Sequence, residues 1–338
     1  MVRKAHSKAT TPVKLSLAQE GFLRYKGASG KSENTLRDFR NSLSKLSLYF
    51  PGNPPLDSIS HDQLVGFFAW LQDEYISIPA GAAPRGKIKL GPKSILNIHT
   101  NLSSFWSWAV NEGFAEDNLL RGIERPPLSD PDIQPFAKED VVAMLKACEA
   151  SRNWKDRASL NNSRPTAERD QVLIKVLLDT GTRAEEVCTL AFEDVNFDEN
   201  SLMAKGKGPG RRPKIRKVYM SKRTAQALWK YLLPRLEKIK PNEPVFTVDV
   251  VNPRPLTREH LSHLIHNIGV RAGVKNAHPH RFRHTFAITY LRNGGDLLTL
   301  QMLLGHTSLD MVKRYARIAD ADCAAKHLQA SPVDNWKL

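Results

Sequence analysis

Between Gly122 and Ala137 this chain cannot be helical. Residues 123–136, IERPPLSDPDIQPF, hold four prolines and three acidic residues. Each proline removes a backbone donor and crowds the preceding turn, so the run reads as an extended linker. The chain must therefore bury its apolar residues in two separate places. At 338 residues, 41% of them hydrophobic, it has enough material for two cores.

Before the linker the pattern is helical. Leu36, Phe39, Leu43 and Leu46 recur at helical spacing, as do Leu102, Phe105, Trp106 and Ala109. Ser60 followed by Gln63 predicts a capping box that opens the helix of Leu64 to Leu71. Residues 15–122 thus predict a small helical domain, preceded by a flexible basic arm over 1–14. One stretch, 77–94, is Gly/Pro-rich and basic and predicts a long exposed loop.

Residues 137–330 predict the second domain, with 331–338 as a tail. Val141, Leu145 and Cys148 line one face of its first helix, and 151–168 read as a polar insertion. Strand signals cluster between about 192 and 220. FEDVNFDENSLMAKG predicts strand, turn, strand, and RRPKIRKVYMS a third strand. From Lys222 onward the pattern is helical again, with stripes of Leu228, Trp229 and Leu232 and of Leu261, Leu264, Ile265 and Ile268. The fold class expected is mainly α, an α+β chain with a helical first domain and a mostly helical second one carrying a small antiparallel three-stranded sheet.

Charge narrows the partner. Lys and Arg outnumber Asp and Glu by 50 to 35, a net charge of +15 that favours a polyanion. No run approaches the roughly 20 apolar residues of a membrane helix, and the basic N-terminus lacks the apolar core of a secretory signal. No membrane role is expected. Cys148, Cys188 and Cys323 are scattered, without metal-ligand spacing, and read as reduced thiols of a cytosolic protein.

Four motifs carry chemistry, and each alone has a bland explanation. HPHRFRH (278–284) puts His280 and Arg283 on one helix face at a proline-marked start, a phosphate site or simply a solvated basic turn. In DTGTRAEEV (179–187), Gly181 ends one helix, Arg183 begins the next, and Glu186 can hold Arg183 or form an ordinary surface pair with it. AKGKGPGRRPKIRK (204–217) lacks the pattern of a nucleotide loop and reads as a basic hairpin tip presenting Lys207 to phosphates. In LLGHTSLDMVKRY (303–315), His306 follows a glycine turn and Tyr315 ends a short helical pattern; singly, both residue types are usually packing.

Order changes their weight. The chain runs Arg183, Lys207, His280, Arg283, His306, Tyr315, with nine positions from His306 to Tyr315. In TGTRAEEV, the hairpin GKG, HRFRHTFA and LGHTSLDMVKRY it resembles the tyrosine recombinase, or phage integrase, family. The likeness covers roughly 137–330 well and the helical 15–120 more loosely. Thr182 and Phe282 stand where that family often has Leu; neither is a reacting group. Lys205 is a rival to Lys207, two residues away along the strand.

The resemblance implies a DNA strand-transferase that breaks and rejoins duplex DNA through a 3′-phosphotyrosyl bond at Tyr315, without metal or ATP. A phenol of pKa about 10 needs a proton acceptor, for which His280 is the candidate. Arg183 and Arg283 would clamp the non-bridging oxygens, Lys207 protonate the departing 5′ oxygen, His306 hydrogen-bond the phosphate, and Glu186 orient Arg183. Strand exchange would pass through a Holliday junction in a homotetramer on DNA carrying a specific core site, with the helix around Asp320 to Leu328 docking on a neighbour. Helices near 34–50 and 93–110 are candidates for the groove, and the DNA-contacting residues expected are Arg37, Arg40, Lys93, Lys205, Arg211, Arg212 and Lys214. The short reach before residue 15 argues against a separate arm-site domain. A Xer-like resolvase or mobile-element integrase, acting in the cytoplasm on nucleoid DNA, fits best. The alternatives are type IB topoisomerase-like relaxation and a non-catalytic DNA-binding protein of this fold. A metal site on His260, His263 and His266 is disfavoured, since i and i+6 diverge by about 120° around a helix.

Overall fold

The computed structural model describes residues 12–77, 88–127, 133–149, 164–206, 214–248, 254–306, 308–319, 327 and 331–337. The chain divides into two compact units, Met1–Pro131 and Asp132–Leu338.

The first unit is built on four helices: α1 (Leu15–Ala28), α2 (Glu33–Tyr49), α3 (His61–Asp73) and α4 (Pro92–Asn111). Their apolar stripes meet in one core, where Phe22 stands edge-on to Phe39 and Phe105 at 5.0 and 5.5 Å. Each such aromatic, fully buried, contributes about 1.5–3 kcal/mol. The Ser60 capping box forms: the hydroxyl accepts from the Gln63 backbone N–H, and the Gln63 side chain accepts from the Ser60 N–H at 2.9 Å. The expected loop over 77–94 differs at its edges. Strands β1 (Ile76–Ser77) and β2 (Ile88–Lys89) pair as a short antiparallel ribbon, and Pro92 already opens α4. The residues between the two strands lie outside the described ones.

In the second unit come α5 (Lys138–Ala147), α6 (Ala167–Thr180) and α7 (Ala184–Cys188), then strands β3 (Val195–Asn196), β4 (Ser201–Gly206) and β5 (Lys214–Tyr219). Helices α8 (Lys222–Leu232), α9 (Arg258–Ala272), α10 (Pro279–Arg292), α11 (Leu297–Leu304) and α12 (Asp310–Ala319) follow, with a last short turn of helix over Pro332–Trp336 in the expected tail. The strands form an antiparallel meander in the order β3-β4-β5. Leu202, Ala204 and Val218 turn to a core shared with Leu173, Leu177, Leu228, Leu261 and Ile265. Among the described residues no helix is long and apolar enough to cross a membrane.

Four local expectations need correction. The last part of the expected linker is docked: Phe136 is 5% exposed against Phe282, and its N–H donates to the Thr285 hydroxyl at 2.9 Å. An apolar side chain with a core beside it outweighs the extended preference of the prolines. Phe192–Asp194 is a 3-10 turn, because Asp194 caps it by accepting from the Ala191 N–H. Trp229 is 44% exposed and does not share the buried stripe of Leu228 and Leu232, since adjacent helical residues point about 100° apart. Tyr315 lies in the middle of α12, not at its end. Cys148 and Cys188 are free and buried, with burial pushing both thiols up to about 12. Cys323, residues 151–163 of the expected 151–168 insertion, and the 320–328 segment apart from His327 fall outside the described residues, and the end of that insertion is helical, entering α6 at Ala167.

Candidate active site

Chain reversals converge at one end of the second unit. Helix α6 stops at Gly181, whose φ of +59° is left-handed and favours glycine. An added Cβ there would also meet the Phe286 ring at 2.3 Å. The reversal aims the Gly181 carbonyl at Arg283, whose Nη1 donates to it at 2.7 Å. Two residues on, Arg183 caps α7. Its backbone N–H donates to Glu186 at 2.7 Å and its Nη1 at 2.9 Å, while the rest of its side chain stays 42% exposed.

Glu186 is 2% exposed and holds a second cation that sequence reasoning did not single out. Arg216, on β5, donates from Nη1 and Nη2 to the two carboxylate oxygens at 2.6 and 2.7 Å, and from Nε to the Leu303 carbonyl at 2.7 Å. Burial alone would push the Glu186 carboxyl up. The paired bonds and charge of Arg216, with those of Arg183, outweigh it and hold the group at about 2. Arg216 therefore ties β5 to the Arg183 turn and to the end of α11.

Arg283, on α10, is 1% exposed. Besides Gly181 it reaches the Leu304 carbonyl and His306 Nε2, both from Nη2, at 2.7 and 2.8 Å. Burial, then the charges of Arg183 and Arg216, lower its pKa to about 9, which leaves it cationic at neutral pH. Because Arg283 can only donate, His306 Nε2 accepts and its proton sits on Nδ1. That Nδ1 is buried and, among the described residues, has no hydrogen-bond partner. Burial and the nearby arginines hold His306 at about 4, so its free N–H belongs to a neutral ring.

Tyr315 faces the same cluster, 4% exposed, its ring stacked at 6.5 Å on His306. Burial raises its phenol above the ordinary value, with Arg283, Arg314 and Arg183 pulling the other way. The histidine its hydroxyl meets is His284, at 2.9 Å from Nδ1, not His280. His280 sits one helical turn earlier, its ring perpendicular to that of His284 at 4.2 Å. Partial desolvation and the charges of Arg283, His278 and Arg183 keep His280 below the usual histidine value, although its ring retains an exposed face. The fourfold spacing of His280 and His284 was the signal for the second histidine, since i and i+4 share a helix face.

Of the expected site residues the structure thus brings together Arg183, Glu186, His280, Arg283, His306 and Tyr315. Lys207, Arg211 and Arg212 lie outside the described residues. Lys205 does not join the cluster. Its partner across the sheet is Ile215, whereas Arg216 pairs with Ala204, so Lys205 and Arg216 occupy opposite faces. Lys205 is paired with Asp194 at 2.7 Å, and that hydrogen bond raises its pKa. Lys214 is exposed at the start of β5, and Lys93 at the start of α4. Arg37 and Arg40 are exposed on α2, where they bond Asn34 at 3.0 Å and Glu33 at 2.6 Å. His260, His263 and His266 are exposed along α9.

Comparison with known proteins finds relatives over most of the chain. The model of the phage integrase family matches residues 135–322. Tyrosine recombinase XerD of Xanthomonas axonopodis pv. citri is 25% identical over 331 residues, covering 95% of this chain and 99% of that protein. XerD of Pseudomonas aeruginosa is 28% identical over 311 residues, covering 90% and 93%. Among solved structures, XerH site-specific recombinase bound to a palindromic difH substrate superposes with a TM-score of 0.68 at 20% identity, covering 97% of this chain and 98% of that one. The Tn1549 transposon integrase with circular intermediate DNA gives 0.69 at 18% identity, covering 89% and 94%.

Proposed function

The chain belongs to the phage integrase family, and on that premise we propose how its site breaks and rejoins DNA. It is a tyrosine recombinase, a strand-transferase acting at specific DNA sites. The observation that carries the residue assignment is the position of Tyr315. Its hydroxyl lies against His284, in a cluster with Arg283 and His306 whose charge surplus fits a phosphate.

Tyr315 is the nucleophile, and attack leaves the broken strand on it as a 3′-phosphotyrosine. Among the described residues Arg283 has its Nε–H and one Nη1–H uncommitted, and Arg183 keeps most of its fork open, so the two match the non-bridging oxygens of one phosphodiester. Both are fixed before DNA arrives, which spares reorganisation in the transition state. His306 donates its free Nδ1–H to the same group, and His280 adds a hydrogen bond from the α10 face. Lys207 protonates the 5′ oxygen as it leaves. These groups supply the charge stabilisation that a metal ion supplies elsewhere, and the phosphotyrosine conserves the bond for resealing without ATP.

The partner is duplex DNA, bound through phosphates by Lys93, Arg37, Arg40, Lys214, Arg211 and Arg212. Four copies act on two sites and exchange strands through a Holliday junction. The protein works in the cytoplasm on nucleoid DNA, on a chromosomal or mobile-element site.

The test starts from a randomised duplex library with a nick near its centre, captured on the protein in EDTA and resolved under denaturing conditions. The expected result is a covalent protein–DNA band that enriches one sequence and vanishes in Tyr315→Phe. A band that persists in that variant, or one that forms only with Mg²⁺, overturns the reading. A two-site assay on the enriched sequence then yields recombinant product; relaxation alone would assign the chain to topoisomerase chemistry.

A further inference from the structure

We infer that His284 is the group that takes the proton from Tyr315 during strand cleavage and returns it during rejoining. This rests on the reading of Tyr315 as nucleophile and assigns the proton transfer that such a reading needs.

Geometry comes first. The reacting atom, the Tyr315 oxygen, lies 2.9 Å from His284 Nδ1, within direct proton-transfer reach. The two rings sit 5.5 Å apart between centroids. The imidazole packs edge-on against the His280 ring at 4.2 Å between centroids. His280 carries the family's sequence signal, but its place is in the row behind His284.

Protonation state agrees. Burial, followed by the charges of His280, His278, Arg283 and Arg314, holds His284 at about 4, so at neutral pH it is uncharged and able to accept. The buried Tyr315 phenol is raised above its ordinary value and attacks poorly without an acceptor. An imidazole at about 4 is a weak base in the free protein. The negative charge of a phosphodiester entering beside Arg283 raises it, since an opposite charge favours the cationic form. The base is therefore strengthened when substrate is bound.

In the step itself, the Tyr315 oxygen forms a bond to phosphorus while the phosphorus–O5′ bond breaks. The phenolic proton moves to His284 Nδ1, giving an imidazolium, and the 5′ oxygen leaves with a proton from Lys207. In rejoining, the 5′ hydroxyl attacks phosphorus and returns its proton to Lys207. The phosphotyrosine bond breaks, and the imidazolium reprotonates the departing phenolate.

The experiment measures the rate of covalent complex formation on the enriched nicked duplex. His284→Ala, His284→Asn and His280→Ala are each made with either tyrosine or 3,5-difluorotyrosine at position 315, the latter inserted by stop-codon suppression. Asn keeps a hydrogen-bond acceptor near the hydroxyl but cannot take the proton, and it carries the test if His284→Ala does not fold. Both His284 variants are expected to bind DNA normally and to slow adduct formation by about 10²-fold or more. The more acidic fluorophenol needs less help from a base, so it should recover at least about tenfold of that loss in the His284 variants, and little in wild type or His280→Ala. Three results overturn the inference: His284→Asn within a few-fold of wild type, His284 variants that fluorination does not rescue, or rescue confined to His280→Ala. Failure of the underlying reading looks different, because wild-type protein would then form no adduct at all.

Discussion

Glu186 bears on the most groups at once. Its carboxylate accepts from Arg183 and, at both oxygens, from Arg216, which is itself only 9% exposed in its side chain. Glu186→Gln keeps the volume but sets an amide N–H₂ against a guanidinium. Breaking a buried pair from one side costs about 3–5 kcal/mol, and a urea melt should show a loss near the lower end. The pH dependence has a definite sign. The folded carboxyl, at about 2, lies below its unfolded value of 4.5, so its contribution is complete above about pH 4.5 and is lost as pH falls towards 2. The gap between wild type and Glu186→Gln should be flat above that window and close within it; a gap that persists unchanged at pH 2 would show that the carboxylate charge is not what stabilises. The sequence made the Arg183–Glu186 half of this unit legible, because residues three positions apart at a helix start meet locally. The Arg216 half was not. Five basic residues crowd 211–217, and alternation separates Arg216 from Lys217 without saying which face the core takes.

At the scale of elements, the site is made mostly of ends: the last turns of α6 and α11 and the first turns of α7 and α10, joined by one strand and the middle of α12. The signals written at such ends are local, which is why the Ser60 capping box and the Gly181 stop could be read in advance. The docking of Phe136, by contrast, depends on Phe282, far along the chain, and no local signal announces it. Gly181 also allows a controlled comparison with Gly273, the cap of α9. Both have positive φ, at +59° and +71°, but an added Cβ meets Phe286 at 2.3 Å in the first case and nothing within 4 Å in the second. Gly273→Ala should cost about 1 kcal/mol, the left-handed penalty alone, and leave DNA cleavage unchanged. Gly181→Ala should cost about 2–4 kcal/mol, adding the overpacking term. Its displaced carbonyl also loosens Arg283, so adduct formation should fall as well. Equal losses in the two variants would mean that Phe286 yields freely and the α6 stop does not position Arg283.

For the molecule as a whole, the net charge of +15 sets how DNA is held more than which DNA is chosen. Each phosphate neutralised releases condensed counterions, so the logarithm of affinity falls linearly with the logarithm of salt, with a slope of about −0.9 per contact. Lys93, in the first unit, and Lys214, in the second, are both exposed, and among the described residues neither is tied as Arg40 is to Glu33 or Lys205 to Asp194. If one duplex is held by both units, Lys93→Ala and Lys214→Ala should each make the slope shallower by about 1, and the double variant by about 2. Titrations between 50 and 200 mM salt, on the enriched duplex and on an unrelated one, read this directly. Phosphates carry no sequence, so the ratio of the two affinities should stay constant while both weaken. A change in that ratio would make either lysine a base contact. A slope that moves for one lysine and not the other would confine the phosphate contacts to one unit, and the charge on the other would then serve something other than this duplex.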